Sequence, residues 1–151
     1  MRALDAALGS AVLPGAAIPG LAAVVVDPDG SLVLAPDVLV ARPEGHAAAQ
    51  DVAVLLRGLG HLAWTTHRRL VFAGEPVAIE QIADWENGVR EVLVEAYVAG
   101  LDAAGQRALY VPELLTAFEV QAECEAVMLA ARTLTTSMAV SDAALAALLA
   151  P

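Results

Sequence analysis

Three long stretches with the periodicity of amphipathic helices constrain this chain more than any other feature. From Gln50 to Phe72, Val52, Leu55, Leu59, Leu62 and Leu70 fall on one side, with Arg57, His61, Thr65 and Arg68 opposite. From Ala78 to Gly100 the spacing turns Ile79, Ile82, Trp85, Val89, Val92 and Leu93 inward. Asp84, Glu91 and Glu95 face water, and Gly100 is the expected C-cap. A third run, Glu113 to Arg132, starts after Pro112 with Leu114, Leu115 and Phe118 on its apolar side, and Ser141-Asp142 opens a short final helix to Ala150. An apolar helix stripe must be covered by another element, so the pattern predicts a bundle.

The first third of the chain reads differently. Arg2 to Leu8 has the composition of a short helix, and Pro14 to Gly20 breaks the chain. Leu21 to Val26 is a β-branched run, Asp27-Pro28-Asp29-Gly30 is a turn signal, and Leu32 to Leu34 returns as a strand that Val38 to Val40 extends. The expected fold class is therefore α+β and mostly α. A small β-hairpin (about 21–40) packs on three long helices (about 50–72, 78–100 and 113–132) plus a short C-terminal helix (141–150). One domain spans 1–151, with the N-terminal helix and hairpin in 1–46 and the bundle in 47–151.

Composition narrows the function classes. The net charge is −10, from 18 acidic and 8 basic residues, which argues against nucleic acid and against anionic membrane surfaces. The chain has no lysine, so neither a P-loop lysine nor a Schiff-base lysine is available. Hydrophobic residues make up 58% of the chain and the mean hydropathy is +0.64, yet no apolar run has the length of a membrane span. Asp5, Pro14 and Pro19 interrupt any signal-peptide core. The expected location is the cytoplasm. The single cysteine, Cys124, allows no internal disulfide and reads as a core thiol. High apolar content predicts surface buried between chains, in a homodimer or a heteromer.

Chemical motifs are sparse. Asp27, Asp29 and Ser31 alternate as in a calcium loop, but Leu32 and Val38 stand where such a loop needs glycine and a bidentate glutamate. His61 and His67 point to different faces of a helix, and His46 lies in a loop beside Glu44, so no metal or cofactor site is expected. Glu113, Glu119, Glu123 and Glu125 read as a solvated helix face. Trp64, Trp85 and Tyr97 are the candidates for a partner surface. Arg57, His61 and Glu119 are the polar-face residues that an enzyme of new type could use, with Arg57 and His61 one turn apart, a spacing that a polar helix face also explains.

Three segments together resemble a known family: QDVAVLLRGLGHLAW (Gln50 to Trp64), WENGVREVLVEAY (Trp85 to Tyr97) and LLTAFEVQAECEAVMLAAR (Leu114 to Arg132). Their order and spacing are similar to those of the C-terminal lobe of bacterial maltokinases, relatives of the aminoglycoside phosphotransferases with a protein-kinase-like fold. The likeness covers about residues 11 to 150.

The resemblance also implies departures. The family's catalytic loop reads His-Gly-Asp-x-His, and a later segment reads Asp-Phe-Glu. Aligned here, Ile18 stands at the catalytic aspartate, Gly20 at the following histidine, and Ala23 and Ala35 at metal-binding positions, while Asp37 matches the glutamate. Phosphoryl transfer needs metal ions and a positioned hydroxyl, which Ile18, Ala23 and Ala35 cannot serve. In the late helix Ala122, Glu125 and Leu129 replace a lysine and tyrosines near the family's sugar site. The resemblance thus implies a truncated, non-catalytic, pseudokinase-type protein with no cofactor and no metal, not an enzyme. Its expected role is as an interaction, assembly or regulatory subunit, by analogy beside an enzyme of trehalose or maltose metabolism. The alternative is a binder of a sugar-like small molecule, with its pocket between the hairpin and the helical bundle.

Overall fold

The structure, a computed structural model, describes residues 12–17, 24–26, 28–29, 32–34, 40–75, 77–133 and 144–149. The expected helix at Arg2 to Leu8 lies outside these residues. So do positions 18, 20, 23, 35 and 37, on which the kinase-like catalytic comparison turns.

The fold is mostly helical with a small antiparallel β part. Strands β1 (Val12–Ala17), β2 (Val24–Val26), β3 (Leu32–Leu34) and β4 (Val40–Ala47) form two separate pairs. β2 and β3 are the expected hairpin, in register from Val24↔Leu34 to Val26↔Leu32, with exposed Pro28 and Asp29 in its turn. The outer pair, β1 with β4, corrects the sequence reading, which broke the chain at Pro14 and left His46 in a loop. Its register shifts between Leu13↔His46 and Gly15↔Arg42. Pro14 and Pro43 fall inside that irregularity, and a two-stranded edge with a bulge tolerates prolines that a central strand would not.

β4 runs directly into helix α1 (Ala48–Ala73), so strand gives way to helix between Ala47 and Ala48. No side chain caps α1, but Asp51 brings negative charge to its first turn, where the helix dipole favours it. Gly74 ends it at φ 76°: its N–H donates to the Val71 carbonyl at 3.1 Å, and the Glu75 N–H donates to Leu70 at 3.0 Å. Helix α2 (Ile79–Ala103) runs through Gly100, the cap expected from sequence. Gly105 takes the left-handed position at φ 70° instead, and the Gln106 N–H closes on the Leu101 carbonyl at 2.7 Å. Two short 3-10 turns, Arg107–Leu109 and Pro112–Leu114, lead into α3 (Leu115–Thr133). Residues 144–148 form a last helical segment, α4.

α1 is the central helix, packed on α3 along one flank and on α2 along the other. Ala48, Ala49, Val52, Leu56 and Leu59 of α1 form the core with Tyr110 and Leu114. Val89, Leu93, Tyr97 and Leu101 of α2 and Phe118 of α3 pack half-buried against it. The alanines at the start of α1 leave room for neighbours to approach closely. Because α2 has one main neighbour, none of its residues is fully buried. Three positions read as core are therefore open: Ile79, Trp85 (44% exposed) and Val92 (66%). Leu62 of α1 is open as well, and Cys124, read as a core thiol, is exposed on α3. No helix of the described residues is long and apolar enough to cross a membrane.

Candidate functional site

α2 and α3 flank α1 without closing on each other, and a groove over α1 lies between them. The cavity there has a volume of about 430 Å³, a size typical of small-molecule sites. α1 supplies the floor with Leu56, Arg57, Gly60, His61 and Trp64; α2 gives Ile79, Ile82, Glu86 and Arg90; α3 gives Glu119 and Glu123. Ala144, Ala147 and Leu148 of α4 complete the wall. The i, i+3, i+4, i+7 spacing of Arg57, Gly60, His61 and Trp64 explains why one turn after another of α1 reaches the same space.

Among the described residues an ion pair spans the groove. Arg90 Nη2 of α2 lies 2.6 Å from Glu119 Oε1 of α3. Glu119 and Glu123 are only 6% and 8% exposed, which corrects the reading of this glutamate series as a solvated face. The series of glutamates along α3 suggested water on that side. The groove between α2 and α3 claims it instead, and Arg90 makes burial of Glu119 tolerable. Glu123 is likewise engaged.

Gly60 shapes the floor. A Cβ at this position would lie 2.9 Å from Glu86 Oε1, so the missing side chain lets the Glu86 carboxylate rest against α1. Trp64 forms the apolar end of the cavity. Arg68 sits 5.9 Å from the centroids of both Trp64 and Phe72, a cation–π ladder along α1 that runs out of the groove.

A second polar cluster lies apart from the groove, where β4 meets the helices. The Asp51 carboxylate oxygen Oδ2 accepts from His46 Nε2 at 2.8 Å and from the Tyr97 hydroxyl at 3.3 Å. Burial, then the Asp51 charge and hydrogen bond, push the Tyr97 hydroxyl well above its ordinary pKa. Burial and Glu119 also raise Tyr110, against the opposing pull of Arg107 and Arg90. The cluster ties the strand, α1 and α2 together. It also turns Tyr97 inward, away from the partner surface assigned to it from sequence.

The structure thus brings Arg57, His61 and Glu119 into one cavity and adds Trp64, which the sequence had placed on a partner surface. Trp85 points elsewhere. Glu86, Arg90 and Glu123 were not singled out as site residues. A mid-helix glycine among strong helix formers, Gly60, was the available signal. Of the late-helix positions implied by the resemblance, Ala122 is buried outside the cavity and Glu125 and Leu129 face outward. Among the described residues, no three His, Cys, Asp or Glu side chains gather as cation ligands.

No protein-family model matches the chain, and no solved structure matches it. Over 126 residues, 83% of this chain, it is 37% identical to the glucosamine kinase of Mycolicibacterium smegmatis. The likeness is to a kinase. It covers 30% of that protein's length, so the chain corresponds to less than a third of its relative. The finding corrects the expectation that this is not an enzyme: the named protein it resembles carries a kinase activity.

Proposed function

We propose that this chain forms the acceptor-binding helical region of a sugar-kinase-like protein, akin to the C-terminal lobe of maltokinases and aminoglycoside phosphotransferases. Its groove holds a hexose that bears an amino group. One observation carries the reading: Glu86, Glu119, Glu123, Arg57 and Arg90 converge on a cavity with apolar walls from Trp64, Ile82 and Leu148. Ring hydroxyls need paired acceptors and donors, and the apolar faces of a pyranose need Trp64 and its neighbours. The similarity to a glucosamine kinase supports the amino group, for which Glu86 is the open acceptor.

Phosphoryl transfer is mostly positioning and charge stabilisation. These residues supply the positioning of the acceptor. Arg90 and Glu119 lock the groove width, Glu86 on its Gly60 seat takes the ammonium, and the apolar walls exclude water. This reading stands ahead of assembly with a partner protein, because exposed Trp85 and Val92 lie on α2 with nothing to say what covers them. Isothermal titration against glucosamine, glucose and N-acetylglucosamine tests it. Glucosamine binds tightest, and N-acetylation, which removes the charge, weakens binding at least tenfold. Absence of heat with every sugar at millimolar concentration would sink the proposal.

A further inference from the structure

The α1 wall of the groove carries a charge that nothing in the described structure neutralises. The chain has 8 arginines and no lysine against 18 carboxylates, so cations are scarce and carboxylate partners are plentiful. Arg90 spends its charge on Glu119. Arg57 lines the same cavity, half-buried, yet makes no ion pair or side-chain hydrogen bond among the described residues. One turn along α1, the His61 ring also lines the cavity without a partner among them. The two side chains share a face at i, i+4 spacing, close enough for both to reach one group.

From this pair we propose an anion subsite on the α1 wall, so that the groove takes a phosphate ester of an amino sugar as well as the free sugar. Arg57 presents a planar fork of N–H donors that matches phosphate oxygens bidentately. His61 adds an imidazole N–H in either protonation state. The carboxylates nearby do not cancel the site: Glu119 is held by Arg90 and Glu123 is engaged. Glu86 remains, on the α2 side of Gly60, for the ligand's ammonium. The ligand that satisfies both open charges is amphoteric, with an ammonium toward Glu86 and a phosphate toward Arg57 and His61. The sugar-ester part of this inference rests on the sugar-binding reading above; the anion subsite does not.

Isothermal titration of the full chain against glucosamine, glucosamine 6-phosphate and inorganic phosphate tests both parts, with Arg57→Gln alongside and its fold checked by circular dichroism. The expected result is at least tenfold tighter binding of the ester than of the free sugar, falling to a ratio near one in R57Q. Rising salt weakens the ester more than the free sugar. Equal affinities, or a preference for the ester that survives R57Q, would overturn the subsite while leaving the sugar reading intact. Phosphate binding that R57Q abolishes, with no response to glucosamine, would keep the subsite and discard the sugar.

Discussion

Gly60→Ala separates stability from function at a single atom. Gly60 lies in the interior of α1, where alanine is favoured over glycine by about 1 kcal/mol of helix propensity. The added Cβ would fall 2.9 Å from Glu86 Oε1 and 3.7 Å from its Cδ, with no other atom within 4 Å apart from its sequence neighbours and the adjacent backbone of α1. What must move is the far end of a flexible side chain, and moving it costs little. The helix gain therefore survives, and a gain of about 1 kcal/mol raises the melting temperature by roughly 2–4 °C in a chain of this size. The Glu86 carboxylate, however, leaves its seat. If it accepts from the ligand's ammonium, the lost charge-assisted hydrogen bond is worth about 1.5–3 kcal/mol, or roughly ten- to hundredfold in affinity. Gly88→Ala is the control, because a Cβ there meets nothing within 4 Å: it brings the helix gain without the loss. Differential scanning calorimetry and titration with glucosamine read the two effects separately. A lower melting temperature for G60A would refute the packing argument. Unchanged glucosamine binding would refute the role of Glu86.

Arg90→Leu leaves Glu119 buried without its partner; because Arg90 is itself partly exposed, the expected loss is about 1–3 kcal/mol in urea unfolding, and adding Glu119→Gln recovers part of it. Leu114→Ala, at a position 2% exposed at the end of the second 3-10 turn, costs about 3 kcal/mol in the same assay. Tyr97 governs alkaline stability. Its folded-state pKa is raised, so its contribution is complete below the unfolded value of about 10 and is lost as pH climbs from there toward the folded value. With no lysine and only two tyrosines in the chain, Tyr97→Phe flattens stability against pH above 10, while costing about 1 kcal/mol at neutral pH through the lost bond to Asp51. An unchanged alkaline slope in Y97F would contradict the burial of that hydroxyl.

The helices were legible because their signal is local. The 3.6-residue period placed α1, α2 and α3 within a few residues, and the β-branched run with its Asp-Pro-Asp-Gly turn placed β2 and β3. β1 and β4 were not legible, since their pairing joins residues near 12 to residues near 47 and tolerates Pro14 and Pro43. Periodicity says which side of a helix is apolar, but not how many neighbours cover it. Trp85 and Val92 continue the apolar stripe of α2, yet α2 flanks the bundle, and they stay open.

The same limit hid the site. Glu119 and Glu123 have the spacing of a solvated face, and so do Arg57 and His61; each helix read alone sends its polar residues to water. Only the arrangement of α2 and α3 on either side of α1 turns those faces toward one another. Facing polar stripes from three helices require either water between them or pairs across them, and Arg90 with Glu119 is one such pair. Where the pairing stops, at Arg57, His61 and Glu86, the groove keeps open polar groups. Gly60 stands between them, and nothing but a missing side chain explains how Glu86 comes to rest there. Resting a half-buried carboxylate against a helix backbone at the expense of helix propensity is a local conflict of the kind that function, rather than stability, sustains.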